Sequence, residues 1–255
     1  MPRVTGQGEV ISISRGRFDG AVFDLDGVLT DTARVHSAAW KTVFDDFLQR
    51  HSARTGSAFR PFVQAEYLTY VDGRSRADGV RQFLASRGIR LPEGAPDDLT
   101  EDTVQGLAAR KDALVQEGLQ RASETLPGAE AVLRALKRVG IGTAVASSSA
   151  NCALVLKVTG LDRLVDVRVD GIVAAELDLP GKPAPALFLE AASRLGVAPG
   201  RAILFEDALP GVEAGRRGGF GCVVGMDRGD QAAALRQHGA DVVIRDLTQV
   251  RVVEA

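Results

Sequence analysis

The sequence predicts an α/β protein: a doubly wound, Rossmann-like parallel sheet with an inserted all-helical domain. Two observations support this fold class. After residue 126, short apolar segments alternate with helical patterns, which is the order of a parallel sheet with crossover helices. Between residues 50 and 121, helical patterns recur without a strong strand signal. This insertion directly follows the first core strand, so we interpret it as a lid; a connecting helical bundle is the alternative.

The apolar pattern predicts each element in turn. A leader at residues 1–17 precedes the first core strand at 18–24, and residues 10–13 are compatible with both an edge strand and disorder. A helix follows over 32–49. The insertion carries helical patterns at 61–70, 76–87 and 99–120. Beyond it, strands are predicted at 141–146, 167–169, 201–205, 220–224 and 241–244, and helices at 128–139, 150–158, 183–195, 210–217 and 229–237.

The composition is that of an ordinary globular chain. Its 255 residues suffice for one large or two modest domains, and 45% of them are apolar and 25% charged. A net charge of −2 gives no electrostatic reason to expect nucleic acid or an anionic membrane as partner. No apolar run is long enough to span a bilayer, and the N-terminus has no signal-type apolar segment. We expect a cytoplasmic protein in which Cys152 and Cys222 are free, buried thiols; a disulfide is the alternative.

Two carboxylates, Asp24 and Asp26, follow the first core strand, and Gly27 breaks the strand at once. Open α/β sheets bind ligands at the carboxyl ends of their strands. Two acids this close repel each other, so the arrangement needs a cation or a shared proton. Mg²⁺ suits it, because this ion combines one or two carboxylates with substrate phosphates. A solvated Asp-Gly turn is the alternative.

Three further segments carry chemistry at predicted strand-to-loop junctions. Ser147, Ser148 and Asn151 open a helix, where hydroxyl and N–H groups bind phosphate, although helix capping alone would also explain them. Lys182 precedes two prolines that make a rigid helix entry, and its ammonium could neutralise phosphoryl oxygens; a solvated loop lysine is the alternative. Glu206 and Asp207 end another apolar strand and would complete an oxygen cage for Mg²⁺ with Asp24 and Asp26.

In this order, the four segments resemble the motifs of the haloacid dehalogenase superfamily, over about residues 18–225. The resemblance implies that Asp24 is the nucleophile that becomes phosphorylated and that Asp26 is the general acid/base. It makes Ser147 and Lys182 phosphate-binding residues. Asp24, Asp26, Glu206 and Asp207 become the Mg²⁺ site, Asp26 through its backbone carbonyl.

The helical insertion resembles the cap of the β-phosphoglucomutase subfamily. This resemblance implies substrate contacts for seven residues: Thr32, His36, Trp40, Arg76, Lys111, Ser148 and Asn151. Thr32 matches the hinge of the cap, and Arg76, with Arg74 as the alternative, matches the arginine that binds the distal phosphate of a bisphosphorylated sugar. The sequence departs from the subfamily pattern at two places that bear on the choice of sugar: the segment 50–71 is longer than usual, and Gly79 replaces a common serine.

The resemblance implies a β-phosphoglucomutase that converts β-glucose 1-phosphate to glucose 6-phosphate through glucose 1,6-bisphosphate. The alternative is a phosphatase that hydrolyses a small sugar phosphate with the same residues. A catalytically silent interaction domain is disfavoured, because the motif acids and the lysine are intact. The partners expected are a phosphorylated sugar and Mg²⁺, without nucleic acid or membrane. We expect a monomer, and the resemblance also suggests association with disaccharide-processing enzymes.

Overall fold

The structure is a computed structural model that describes residues 10–96, 98–122 and 124–254. It divides into two compact units. The core unit comprises Met1–Asp31 and Ser123–Ala255, and the helical unit comprises Thr32–Ala122. The sequence predicts a core of residues 18–33 and 123–255 around a helical domain at 34–122, so the predicted first boundary falls two residues later along the chain than this division.

The strands of the described residues are β1 (Ile11–Ser14), β2 (Gly20–Phe23), β3 (Gly142–Ala146), β4 (Val167–Val169), β5 (Ala202–Glu206), β6 (Cys222–Met226), β7 (Val242–Ile244) and β8 (Val250–Val253). The helices are α1 (Ala33–Thr55), α2 (Gln64–Glu66), α3 (Arg76–Ser86), α4 (Val104–Ala122), α5 (Ala129–Arg138), α6 (Cys152–Thr159), α7 (Gly171–Glu176), α8 (Ala186–Arg194), α9 (Leu209–Arg217) and α10 (Ala232–Gln237). A π-helical turn, Tyr67–Val71, continues α2, and 3₁₀ turns lie at Leu161–Arg163, Pro199–Arg201 and Leu247–Gln249.

Six strands of the core unit form one parallel sheet in the order β4-β3-β2-β5-β6-β7. Every residue of β2 and β5 is buried, as expected for strands at the centre of a sheet covered by helices on both faces. Phe23 and Phe205 are register partners, and their rings stack at 4.6 Å. The carboxyl ends of β2 and β5 therefore lie side by side.

The predicted doubly wound parallel sheet is confirmed, but two features of the core unit escaped the sequence analysis. The strands β1 and β8 pair in parallel as a separate two-stranded sheet, with Ile11 opposite Val250. Of the two alternatives for residues 10–13, the structure shows the strand, at Ile11–Ser14, and residues 1–9 lie outside the described residues. The short helix α7 was also missed; Asp170 caps it by accepting hydrogen bonds from the Ile172 and Val173 amides.

The helical unit has an apolar core of its own. Phe44 of α1, Phe62 and Phe83 of α3 contact one another with ring centroids 4.4–4.9 Å apart. Each fully buried ring stabilises the unit by about 1.5–3 kcal/mol relative to an exposed one. The predicted helix at 32–49 extends to Thr55, where Gly56 adopts the left-handed conformation that ends helices. The pattern at 99–120 becomes helical only at Val104.

Candidate active site

Asp24 lies immediately after β2, at the carboxyl edge of the central sheet. Its amide donates to the Phe205 carbonyl at 2.9 Å, which continues the pairing with β5 by one residue. Its side chain is buried, and its Oδ2 accepts a hydrogen bond from the Asp26 amide at 3.1 Å. Backbone pairing and this loop amide together fix the orientation of the carboxylate.

Lys182 joins two buried carboxylates of the core unit. Its Nζ lies 2.7 Å from Oδ1 of Asp24 and 3.0 Å from Oε2 of Glu206, and it lies 4.7 Å from the centroid of the Phe188 ring. The other Glu206 oxygen accepts from the Ala208 amide at 3.3 Å. The structure thus brings together the first, third and fourth sequence motifs through side-chain contacts.

Burial and the charges of neighbouring side chains shift the pKa values of these three groups. Burial raises the pKa of Asp24 and of Glu206, and the charge of Lys182 opposes this in both. A neighbouring carboxylate raises each pKa further: Asp26 acts on Asp24, and Asp24 acts on Glu206. Burial alone would lower the pKa of Lys182, but the two carboxylates outweigh it and raise that pKa. When all three groups are ionised, two negative charges share one positive charge.

Two glycines of the motifs make room for the acids beside them. A Cβ atom at Gly27, which has a φ of +84°, would lie 1.8 Å from Oδ2 of Asp207. A Cβ atom at Gly211 would lie 2.1 Å from the carboxyl group of Glu206. Asp207 therefore packs directly against the loop that carries Asp24 and Asp26.

Ser147, Ser148 and Asn151 follow β3, the neighbour of β2 in the sheet. The buried Ser147 hydroxyl accepts a hydrogen bond from the Ser149 amide at 3.1 Å, which leaves its proton for donation to a bound group. Asn151 stands at the N-cap of α6, but its side chain makes no capping hydrogen bond. Capping therefore does not account for this asparagine.

In the helical unit, the structure brings together His36 and Trp40 of α1 with Lys111 of α4. The buried Lys111 Nζ lies 2.8 Å from Nδ1 of His36 and 5.4 Å from the centroid of the Trp40 ring. Burial lowers the pKa of His36 well below its ordinary value, and the charges of Lys111 and Arg76 act in the same direction. The neutral imidazole accepts the hydrogen bond of the ammonium. Trp40 is itself 4% exposed and stacks on Phe44.

Arg76, the first residue of α3, is ion-paired with Asp112 of α4 at 2.5 Å between Nη1 and Oδ1. Gln116, one turn further along α4, donates to the second oxygen of Asp112 at 3.1 Å. Sequence reasoning missed Asp112 and Gln116. Their i, i+4 spacing on a predicted helix indicated the local pair, but no pattern indicated the contact with a residue 36 positions earlier.

Thr32 and Arg74 complete the predicted set in the helical unit. Thr32 is buried, and its carbonyl accepts from the His36 amide at 3.1 Å at the start of α1. Arg74 is partly buried in the turn before α3. The preference for Arg76 over Arg74 as the phosphate-binding arginine stays a prediction.

The residues of the core unit fit Mg²⁺ by their charge and chemistry. Asp24 and Glu206 share the ammonium of Lys182, Asp26 follows Asp24 by two residues and Asp207 packs against Gly27, so this edge of the sheet has an excess of negative charge. Within the part of the chain that the structure describes, no three His, Cys, Asp or Glu side chains are grouped to hold a metal ion. Mg²⁺ requires no such group, because water, backbone carbonyls and substrate phosphate commonly complete its shell.

Comparisons with known proteins show which family the chain belongs to. The model of the haloacid dehalogenase-like hydrolase family matches residues 18–219. The beta-phosphoglucomutase of Mycobacterium bovis is 52% identical over 235 residues, which are 90% of each chain. The validoxylamine A 7'-phosphate phosphatase of Streptomyces hygroscopicus subsp. limoneus is 31% identical over 233 residues, 91% of this chain and 95% of that one. A crystal structure of beta-phosphoglucomutase from Clostridium difficile, 25% identical, superposes with a TM-score of 0.71 over 91% of this chain and 92% of that one.

The chain belongs to the haloacid dehalogenase-like hydrolase family. Within that superfamily, its similarities are to the β-phosphoglucomutase-like subfamily and support an enzyme of the phosphomutase type.

Two expectations from composition have counterparts in the structure. Both Cys152 and Cys222 are free and buried, as predicted, and burial raises the pKa of each thiol. Among the described helices, none combines the length and the apolar character that crossing a membrane requires.

Proposed function

We propose that this protein is a β-phosphoglucomutase, which converts β-D-glucose 1-phosphate to glucose 6-phosphate through an aspartyl-phosphate enzyme and glucose 1,6-bisphosphate. The observation that carries the proposal is the buried carboxylate of Asp24, held by Lys182 at one oxygen and by a backbone amide at the other. Phosphoryl transfer depends mostly on such positioning and on charge stabilisation. The 52% identity to a mycobacterial β-phosphoglucomutase supports the choice of substrate.

In this mechanism Asp24 attacks phosphorus and becomes the phosphorylated residue. Asp26, two residues later, protonates the leaving sugar oxygen and later removes the proton from the accepting hydroxyl. Lys182 and the Ser147 hydroxyl stabilise the phosphoryl oxygens. Ser148 and Asn151, which follow the neighbouring strand β3, contribute substrate contacts.

Mg²⁺ would be held by Asp24, the Asp26 carbonyl and Asp207, and it would neutralise charge on the transferring phosphoryl group when bound. Both oxygens of Glu206 already accept hydrogen bonds, one from Lys182 and one from the Ala208 amide. Each carboxylate oxygen has a second lone pair, so Glu206 remains available as a further ligand. Its contacts favour a main role in holding Lys182 in place.

A mutase must also hold the second phosphate of its bisphosphate intermediate, and the cluster in the helical unit offers the charge for this. Lys111 and Arg76 are positive, Asp112 is negative and His36 is neutral, so these four side chains carry one net positive charge. Arg76 would bind this distal phosphate with Lys111, while His36 and Trp40 support the sugar site. Thr32 would serve as the hinge of the helical unit.

The second candidate is a phosphatase that uses the same residues on a small sugar phosphate. The 31% identity to a phosphatase from Streptomyces supports this second candidate. The two functions differ in whether a sugar hydroxyl or water accepts the phosphoryl group. We further propose a monomeric, cytoplasmic enzyme; association with disaccharide-processing enzymes stays a prediction, to be tested by copurification from the native cell.

The test is to incubate the purified protein with Mg²⁺, β-glucose 1-phosphate and a trace of glucose 1,6-bisphosphate, and to follow glucose 6-phosphate and inorganic phosphate together. The proposal predicts rapid formation of glucose 6-phosphate with little phosphate released. Asp24→Asn should lower this rate at least about a thousandfold. The matched control is Asp19→Asn, which breaks an exposed ion pair with Arg201 in the same unit and should leave the rate unchanged. Phosphate release without isomerisation would establish the phosphatase instead.

A further inference from the structure

The carboxylate of Asp112 lies between two side chains that fix it from opposite ends. Its Oδ1 contacts Nη1 of Arg76 at 2.5 Å, and its Oδ2 accepts from Nε2 of Gln116 at 3.1 Å. Asp112 and Gln116 are on the same face of α4, one turn apart, whereas Arg76 begins α3. A carboxylate with a partner at each oxygen has little rotational freedom, so the Arg76 guanidinium that is paired with it is also restricted.

A guanidinium has more donors than one carboxylate can use. Arginine has five N–H donors in a planar fork, and the nearest atoms of the ion pair are Nη1 of Arg76 and Oδ1 of Asp112. Both side chains are partly exposed, at 34% for Arg76 and 19% for Asp112. An arginine ordered before a phosphate arrives loses less side-chain entropy on binding than a mobile one.

We propose that Asp112 is a positioning residue: fixed by Gln116, it orients the Arg76 guanidinium so that the remaining N–H donors bind the second phosphate of a bisphosphorylated sugar. This inference rests on the proposed mutase function and goes beyond it, because it assigns a role to two residues outside the superfamily motifs. Asp112 does not touch the substrate in this account. It acts through Arg76.

The helical unit supplies a matched control. Asp102 is 20% exposed and pairs with Arg110 at 2.9 Å and with Arg50 at 2.9 Å, so it resembles Asp112 in burial and in having an arginine partner. Neither Arg50 nor Arg110 belongs to the anion cluster. Replacing Asp102 removes ion pairs of the same kind from the same unit without affecting Arg76.

The experiment compares Asp112→Asn, Asp112→Glu, Gln116→Ala and Asp102→Asn with the parent enzyme, measuring kcat and the KM for glucose 1,6-bisphosphate in the coupled mutase assay. We expect Asp112→Asn to raise this KM roughly tenfold, about the loss of one charge-assisted hydrogen bond. Gln116→Ala should raise it less, and Asp112→Glu should recover part of the loss. Asp102→Asn should lower the thermal midpoint as much as Asp112→Asn does, with the KM unchanged. An unchanged or lower KM in Asp112→Asn would overturn the proposal, and a lower value would show that Asp112 competes with phosphate.

A parent enzyme without mutase activity would refute the proposed function, and the role of Asp112 would then be decided by NMR. The side-chain Nε–Hε signal of Arg76 reports on the order of its guanidinium in the absence of ligand. If Asp112 positions Arg76, this Nε–Hε signal should be sharp in the parent and in Asp102→Asn but broadened in Asp112→Asn. Equal signals in the three proteins would contradict it.

Discussion

Two buried lysines, one in each unit, have opposite surroundings. Lys182 in the core unit contacts the carboxylates of Asp24 and Glu206, and these three groups carry an excess negative charge when ionised. Lys111 in the helical unit contacts a neutral imidazole and an indole ring, and its cluster with Arg76 and Asp112 carries an excess positive charge. Under the proposed function, the first arrangement suits a metal cation, which would offset the negative charge of the transferring phosphoryl group. The second suits a phosphate that is held and not transferred.

The largest expected effect on stability comes from removing the Lys182 ammonium from the negatively charged cluster that it forms with Asp24 and Glu206. Lys182→Met leaves two buried carboxylates without their counter-charge, so the free energy of unfolding should fall by about 3–5 kcal/mol. This loss of stability is measured by urea unfolding, with far-UV circular dichroism as the signal. The single tryptophan, Trp40, lies in the helical unit, so its fluorescence should change little and assign the loss to the core unit.

The double variant Lys182→Met/Glu206→Gln should recover part of this loss, because it removes one of the two uncompensated charges. Arg201→Met is the control, since its exposed pair with Asp19 contributes little to stability. A Lys182→Met protein as stable as the control would contradict the buried ion-pair description.

The next effect concerns the close approach of Asp207 to the loop that carries Asp24 and Asp26. Gly27→Ala places a methyl group 1.8 Å from the present position of Oδ2 of Asp207 and strains a backbone with φ of +84°. We expect activity to fall about a hundredfold, because the loop that carries Asp24 and Asp26 must move. Steady-state kinetics at saturating Mg²⁺ measures the fall.

Gly160→Ala separates the clash from the strain. Gly160 has a similar φ of +71°, but a Cβ atom there would have no neighbour within 4 Å. This variant should lose about 1–2 kcal/mol of stability from strain alone and keep its activity. Equal activities in the two variants would show that Asp207 and the loop adjust independently.

The smallest expected effect is a dependence of the stability of the helical unit on pH. The pKa of His36 is lowered in the folded protein by burial and by Lys111 and Arg76, so the folded state favours the neutral imidazole. The unfolded chain takes up a proton near its ordinary pKa of about 6.5. The helical unit should therefore lose stability as the pH falls below that value, because the unfolded state then binds more protons.

Two-dimensional NMR of the His36 imidazole measures its protonation directly. His36 should stay neutral while the pH is lowered from 8 to about 6. Lys111→Met should move its titration towards higher pH, since a positive neighbour is removed. A His36 that titrates identically in both proteins would mean that Lys111 does not govern its charge state.

The core unit and the helical unit also differ in how far the sequence predicted their structure. Short-range sequence patterns predict the positions of three residues of the core unit: Asp24 and Glu206 at strand ends, and Lys182 before a helix entry marked by prolines. Parallel pairing of the strands then brings distant strand ends together. The contact of Lys182 with both carboxylates follows from that topology. The pairing of β1 with β8 was not predictable in this way, because it joins the two ends of the chain and neither segment has a turn or crossover that indicates its partner.

The helical unit was harder to predict because its contacts join side chains across helices. Residues such as His36 and Trp40 share a helix face by spacing alone, so their proximity followed from the pattern. The contact between Arg76 and Asp112 depends on how α3 packs on α4, which periodicity does not determine. Gly79 shows the same limit: a Cβ atom there would lie 3.1 Å from Val71 at the end of the π-helical turn, a packing reason for glycine that the sequence did not reveal.

The most direct test of the account asks which residue carries the phosphoryl group. The protein is mixed with Mg²⁺ and glucose 1,6-bisphosphate, quenched in acid within milliseconds to seconds, digested and mapped by mass spectrometry. We predict the added mass of one phosphoryl group on the peptide that contains Asp24, and its absence from Asp24→Asn. A phosphoryl group on another residue, or an Asp24→Asn variant that still forms glucose 6-phosphate at the parent rate, would contradict the account.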